Sequence, residues 1–256
     1  TDVVIPRLRE HFELPSIEHR TLLTSGIGES MLAEAIADFE NALLPQVRLA
    51  YLPAHGLVRL RLTCKHAVRE EAVRMVDRYF SELRELVTQW MVADSDATMA
   101  EALSQLLRKK GKTVATAESC TGGYIAHLLT SHAGSSAIYD GSVVAYANSV
   151  KENLLGVSPA TLEKYGAVSE EAVKEMVTGA LQQLKTDYVI ATSGIMGPDG
   201  GTPEKPVGTV WIAVGSRHCI KTHKAFFRFD RIYNIELTAH TALSMLYRLV
   251  KEGDGE

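Results

Sequence analysis

Apolar and polar positions change period several times along this chain, and each change marks an element. Ile17 to Thr24 is β-branched and apolar in an extended pattern, after which Ser25-Gly26-Ile27-Gly28-Glu29-Ser30 turns the chain. Met31, Ala35, Ile36 and Phe39 recur at helical spacing. Val47 to Leu52 and Leu57 to Thr63 alternate as strands, with Pro53-Ala54-His55-Gly56 as the hairpin loop between them. The second of these strands sets Leu57, Arg59 and Arg61 opposite Val58, Leu60 and Leu62, which predicts a sheet with one wet face. A long helix follows from about Val68 to Gln89, with Ala72, Val76, Phe80, Leu83 and Val87 on its inner side. Residues 16–93 therefore read as a small α+β domain. Residues 1–15 read as the end of a helix, followed by Pro15.

Met91 to Asp96 is short and acidic and reads as the boundary. Beyond it, Thr98-x-x-Glu101 is a capping box that opens a helix with Met99, Leu103, Leu106 and Leu107 on one face. Arg108-Lys109-Lys110 suit its negative end, and Gly111 stops it. Thr113, Val114 and Thr116 begin a strand, and Ile125, Leu128 and Leu129 mark the helix that follows. Ser142 to Ala147 reads as a buried strand, Ser158-Pro159 as the start of a short helix, and Ser169-Glu170-Glu171 as the start of a longer one. Strands are expected at Asp187 to Ser193 and Gly208 to Gly215, with an edge strand at Cys219 to Phe229 and a final helix from about Ile232 to Val250. Strands alternating with helices over 94–256 predict a layered α/β domain.

Composition narrows the class. The 256 residues are 46% hydrophobic and 23% charged, as in a soluble globular protein, and the formal charge of −4 argues against a nucleic-acid surface. Cys64, Cys120 and Cys219 are scattered and odd in number, so neither a disulfide framework nor a zinc-type pair is present. No apolar run is long enough to span a bilayer and no signal peptide is visible, so the expected location is cytoplasmic, with no membrane partner. The chain starts at Thr1 without a methionine, which suggests that the front of a longer protein is missing.

The candidate chemistry centres on Ala115-Thr116-Ala117-Glu118-Ser119-Cys120-Thr121-Gly122-Gly123, where a strand hands over to a helix. Open N–H groups at the helix start would suit an anion or oxyanion, and Gly122 and Gly123 would let a substrate approach the backbone. An ordinary turn with Ser119 as N-cap is the plainer reading. A serine needs a base. With no histidine near it in motif terms, Lys151 of Tyr146-Ala147-Asn148-Ser149-Val150-Lys151 is the candidate, with Tyr146 able to share the proton path. The competing reading makes Lys151 a surface residue in the first turn of a helix. Gly194 to Thr209 is a constrained loop after an apolar strand, where α/β folds hold ligands, though it is not a P-loop. Asp230-Arg231 could offer a guanidinium to a phosphate, or could simply pair within itself. Gly26-x-Gly28 lacks the third glycine of a dinucleotide fingerprint, and Arg59 and Arg61 read as a solvated strand face.

Five motifs in order resemble the CinA C-terminal domain family. They are Ala117-Glu118-Ser119-Cys120-Thr121-Gly122-Gly123, Tyr146-x-Asn148-x-x-Lys151, Gly166-Ala167-Val168-Ser169-Glu170, Gly194-x-x-Gly197-Pro198-Asp199-Gly200-Gly201-Thr202, and Lys205-Pro206-Val207-Gly208-Thr209-Val210-Trp211. Residues 16–93 resemble the KH-type domain that precedes it, and 1–15 the tail of a molybdopterin-binding-like domain. The resemblance implies an α/β/α deamidase domain plus a small α+β KH-like domain. The implied reaction is hydrolysis of the carboxamide of nicotinamide mononucleotide to nicotinate mononucleotide and ammonia, with no metal or other cofactor. It assigns Ser119 as nucleophile, Lys151 as base and Tyr146 beside them. Substrate contacts are expected from Thr121, Gly122, Gly123, Asn148, Gly194, Gly197, Gly200, Gly201, Thr202, Thr209 and Arg231. The small molecule is the expected partner, in a homodimer. Met196 stands where the family's loop usually has Ala, adding bulk beside the ligand, and Ile235 where relatives often carry Arg. Readings of a different class are a non-catalytic binding or scaffold module, and RNA binding by the KH-like part, which the lack of basic charge disfavours.

Overall fold

The computed structural model describes Val4, Arg7 and residues 15–253, so most of the stretch read as a helix end before Pro15 lies outside the described residues. Two compact units divide at Ala97 and Thr98.

The first unit runs β1 (Ser16–Ser25), α1 (Glu29–Ala35), α2 (Ala37–Asn41), β2 (Val47–Ala54), β3 (Leu57–His66), α3 (Arg69–Leu86) and β4 (Met91–Ala93). Its antiparallel sheet has the order β2-β3-β1-β4. Leu22, Leu60 and Leu62 of the sheet pack with Leu32, Ile36 and Phe39 and with Val76, Phe80 and Leu83 of α3. Two details differ from the sequence pattern. The helix expected through Phe39 breaks at Ile36, and Leu32 rather than Met31 turns inward, leaving Met31 66% exposed. Met91–Ala93, within the stretch read as the boundary, pairs with β1, and Asp96 holds Arg59 and Arg61 at 3.2 Å each.

The second unit runs α4 (Met99–Lys110), β5 (Val114–Glu118), α5 (Tyr124–Thr130), β6 (Tyr139–Val144), α6 (Asn148–Leu155), α7 (Pro159–Tyr165), α8 (Glu170–Leu184), β7 (Tyr188–Gly194), β8 (Thr209–Gly215), β9 (Ile220–Phe226) and α9 (Arg231–Glu252). The Thr98–Glu101 capping box is formed, and Gly111 closes α4 in the left-handed region at φ 64°. The sheet order is β6-β5-β7-β8-β9, with β5 parallel to both β6 and β7 and the other pairs antiparallel. Helices α4, α5 and α9 pack together on one face, and α8 covers the other with α6 and α7 against it, giving three α/β/α layers.

The strand expected at Ser142 to Ala147 is Tyr139–Val144, and it is not buried. It lies at the sheet edge with β5 as its neighbour, so alternate residues face outward. A last rung from Ala145 N to Glu118 O, 2.8 Å long, precedes the turn into α6. At the other edge β9 ends at Phe226, and Phe227 N bonds Gly208 O at 2.9 Å.

Candidate active site

Strand β5 delivers Glu118 and Ser119 to the end of the sheet, where Ser119 N bonds Thr192 O on β7 at 3.0 Å. The chain then reverses through Gly122 and Gly123, with φ of 61° and 96°, a conformation that suits glycine. That reversal brings the start of α5 back over β5. Ser119 is therefore not the helix cap. Glu118 performs that task with its carboxyl group: Oε2 accepts from Gly123 N at 3.0 Å and Ile125 N at 3.1 Å, and Oε1 from Ala126 N at 2.8 Å. The Thr121 hydroxyl donates to Oε2 at 2.7 Å and lies 2.8 Å from that of Thr192, while the Thr116 hydroxyl lies 3.0 Å from Oε1. Glu118 is fully buried. The open helix start expected for an anion is thus already filled, and Gly122 N is also used, bonding Ser119 O at 3.2 Å.

Lys151 is not a surface lysine. It lies in the first turn of α6 and is 1% exposed, its Nζ 3.0 Å from Ser119 Oγ, 2.8 Å from Ala145 O and 3.1 Å from Tyr146 O. Burial holds its pKa below the ordinary lysine value of 10.5. Cys120 is buried beside this pair, and burial pushes its thiol up to about 12, opposed by a hydrogen bond with Thr192.

Tyr146 meets Lys151 through its carbonyl, not its hydroxyl. The exposed ring carries its hydroxyl to Arg231, whose Nη2 donates to it at 3.0 Å while Nη1 donates to Gly197 O at 2.7 Å. Arg231 is free for this because Asp230 does not pair with it; Asp230 instead caps α9 by accepting from Tyr233 N at 3.0 Å. One line of contacts thus runs from Ser119 through Lys151, Tyr146 and Arg231 to Gly197.

Other expected residues sit around this line or beyond it. Asn148 is exposed in the first turn of α6. Gly194 ends β7, and a Cβ there would lie 2.9 Å from Val210. At Gly197 and Gly201 an added Cβ would come within 2.7 Å of Val207, so these glycines let the loop close on itself. Gly200, Gly201 and Thr202 form its exposed outer turn, with Thr202 N bonding Lys205 O at 2.9 Å. Thr209 is buried and holds the loop's base through Pro206 O and Ile195 N. Met196 is 3% exposed, so its side chain packs inside the protein.

Two residues that were not among the expected site residues organise the site. Glu118 is one. The other is Asn234 of α9, fully buried, whose side chain bonds Met196 O at 3.2 Å and both the N–H and the carbonyl of Phe229. Its signal was present in the pattern, since Asn234 shares the inner face of α9 with Leu237 and Thr238. Among the described residues no group of three or more His, Cys, Asp or Glu could hold a metal ion, and no helix is long and apolar enough to cross a membrane.

The fold and site define a two-unit protein whose larger part is an α/β/α sandwich with a buried serine–lysine contact at its central strand-to-helix turn. Residues 96–250 match the CinA C-terminal domain and residues 19–93 the KH domain of the damage-inducible protein CinA; the chain belongs to the CinA family. A CinA-like protein of Cytophaga hutchinsonii is 45% identical over 252 residues, covering 98% of this chain and 60% of that protein. A putative competence-damage inducible protein of Halothermothrix orenii is 38% identical over 249 residues, covering 97% and 60%. The chain thus spans about 60% of the length of these curated relatives. Among solved structures, the competence/damage inducible protein CihA from Agrobacterium tumefaciens is 40% identical with a TM-score of 0.57, covering 60% of this chain and 96% of its own. A CinA superfamily protein from Klebsiella pneumoniae is 36% identical with a TM-score of 0.59, covering 61% and 100%.

Proposed function

We propose that the second unit is an amidase that hydrolyses the carboxamide of nicotinamide mononucleotide to nicotinate mononucleotide and ammonia. The observation that carries this reading is the environment of Lys151 Nζ. Two backbone carbonyls accept from it at 2.8 and 3.1 Å, and Ser119 Oγ lies 3.0 Å away. A neutral amine has two hydrogens and one lone pair. The carbonyls take the hydrogens, so the lone pair faces the serine hydroxyl, the arrangement of a general base. Burial favours that neutral form, and among the described residues Lys151 forms no ion pair that would hold it charged.

Ser119 Oγ attacks the carboxamide carbon and passes its proton to Lys151 Nζ. The lysine then protonates the departing nitrogen, which leaves as ammonia, and an acyl-serine remains. Water, deprotonated by the same amine, releases nicotinate mononucleotide and restores both groups. Arg231 spends two of its five N–H donors on Gly197 and Tyr146, and the remaining three can meet the substrate phosphate. The reaction uses no metal, so a chelator should leave it unchanged.

The test is ammonia release from nicotinamide mononucleotide. Wild type should turn over, and Ser119→Ala should lose at least about a thousandfold, roughly 4 kcal/mol of barrier. No turnover at millimolar substrate in a folded sample would favour a binding or scaffold role instead.

A further inference from the structure

The backbone N–H groups from Ser119 to Ala126 have acceptors within the protein, with two exceptions. Ser119, Gly122 and Tyr124 donate to Thr192, Ser119 and Thr121 carbonyls, and Gly123, Ile125 and Ala126 donate to Glu118. The N–H of Cys120 has no acceptor among the described residues, and Cys120 is 5% exposed. That of Thr121 has no acceptor among the described residues, although Thr121 is only 3% exposed. A buried N–H without a partner is rare and costly unless something else is meant to fill it.

Resting on the Ser119–Lys151 hydrolase reading, we propose that Glu118 is a positioning residue which closes the start of α5 and leaves the Cys120 and Thr121 N–H groups as the oxyanion donors of the site. When Ser119 Oγ bonds the carbonyl carbon, the C=O π pair moves onto the carbonyl oxygen and the serine proton moves to Lys151. The new negative charge needs a donor fixed in advance and shielded from water. Thr121 meets both conditions. Its hydroxyl is held between Glu118 at 2.7 Å and Thr192 at 2.8 Å, so its backbone cannot swing. Without Glu118, three converging N–H groups would compete for the same oxyanion and the turn would lose its anchor.

A fluorophosphonate probe tests this without relying on the proposed substrate. Ser119 Oγ bonds phosphorus, fluoride leaves, and the phosphoryl oxygen occupies the oxyanion position. Labelling is read by intact mass for wild type, for Glu118→Gln, for Glu118→Asp, and for protein carrying an ester in place of the amide between residues 120 and 121. The ester removes only the Thr121 N–H and should label about a hundredfold more slowly. Glu118→Gln places an NH2 among converging donors; it should label at least about tenfold more slowly and lower kcat for ammonia release with KM held. Glu118→Asp keeps the carboxyl group and should recover part of that loss. An ester protein labelled at the wild-type rate overturns the proposal, and the ester keeps it testable if Glu118→Gln does not fold. A folded Glu118→Gln at the wild-type rate likewise overturns it. Wild type unlabelled at Ser119 removes the hydrolase reading itself.

Discussion

Arg231 Nη2 lies 3.0 Å from the hydroxyl of Tyr146, joining the first turn of α9 to the segment that leads into Lys151. The same guanidinium grips Gly197 O at 2.7 Å, so three segments distant in sequence share one side chain. This places the tyrosine hydroxyl on the arginine and only its backbone carbonyl on the lysine.

Tyr146→Phe should therefore leave kcat within about fivefold of wild type, since the carbonyl that orients Lys151 survives. Arg231→Ala should act mainly on KM for the mononucleotide, by roughly tenfold or more, because a guanidinium hydrogen bond to an anion is worth about 1.5–3 kcal/mol. Steady-state kinetics with the mononucleotide and with its phosphate-free riboside would separate the two. An equal KM rise with both would mean that Arg231 supports the loop and does not meet phosphate.

Lys151 carries a pH dependence whose sign is fixed by the direction of its shift. Burial lowers its pKa in the folded protein below 10.5, so activity should rise with pH as the amine loses its proton, then level off. Stability follows the same group. Between the lowered folded value and the ordinary unfolded one, the unfolded chain binds the extra proton, so wild type loses stability as pH falls through that window. Lys151→Met has no such proton. Its stability relative to wild type should grow as pH is lowered, measured by urea unfolding across the alkaline range, while its activity is lost. A stability difference independent of pH would show that the amine titrates normally.

In the proposed mechanism Cys120, adjacent to Ser119, does not attack. With its thiol pushed up to about 12 by burial, the reactive thiolate is a negligible fraction near neutral pH. Cys120→Ala should keep activity within about fivefold, and iodoacetamide should leave the enzyme active. A dead Cys120→Ala beside an active Ser119→Ala would require a thiol mechanism.

The legible part of this molecule was local. The capping box at Thr98 and the strand-to-helix turn at Ser119 both follow from short-range patterns. What stayed hidden depended on the chain folding back. Glu118 caps a helix whose first residue is Tyr124, six positions later, through two left-handed glycines, whereas sequence rules look for a cap beside the helix. In sequence the stretch from Gly194 to Thr209 reads only as a constrained loop that could hold a ligand, and its internal packing is not legible. At Gly194, Gly197 and Gly208 the glycines make room for Val210, Val207 and Phe227, partners no local pattern identifies. Edge position, too, is a property of the sheet: Ser142 to Ala147 looks buried in sequence, and only the strand order puts it at the rim.

The separation of Lys151 from Ser119 depends on a glycine with no chemistry of its own. Gly179 lies inside α8, where glycine costs about 1 kcal/mol relative to alanine, so its presence calls for a packing reason. The reason is α6. A Cβ at position 179 would lie 1.8 Å from Leu155 O and 2.5 Å from Leu155 C, at the end of the helix that carries Lys151. Backbone atoms cannot rotate away, so Gly179→Ala must push α6 off α8 by more than an ångström. Lys151 sits one turn before Leu155 and would move with it, lengthening the 3.0 Å contact to Ser119 Oγ. Near-attack geometry tolerates little of this, and a misplacement of about 1 Å can cost about a hundredfold. Gly179→Ala should therefore lower kcat by roughly that factor and destabilise the protein by about 1–3 kcal/mol, the cost of overpacking. Denaturant unfolding and steady-state kinetics on the same sample would show both. Full activity in a folded Gly179→Ala would mean that α6 is free to shift without carrying the lysine.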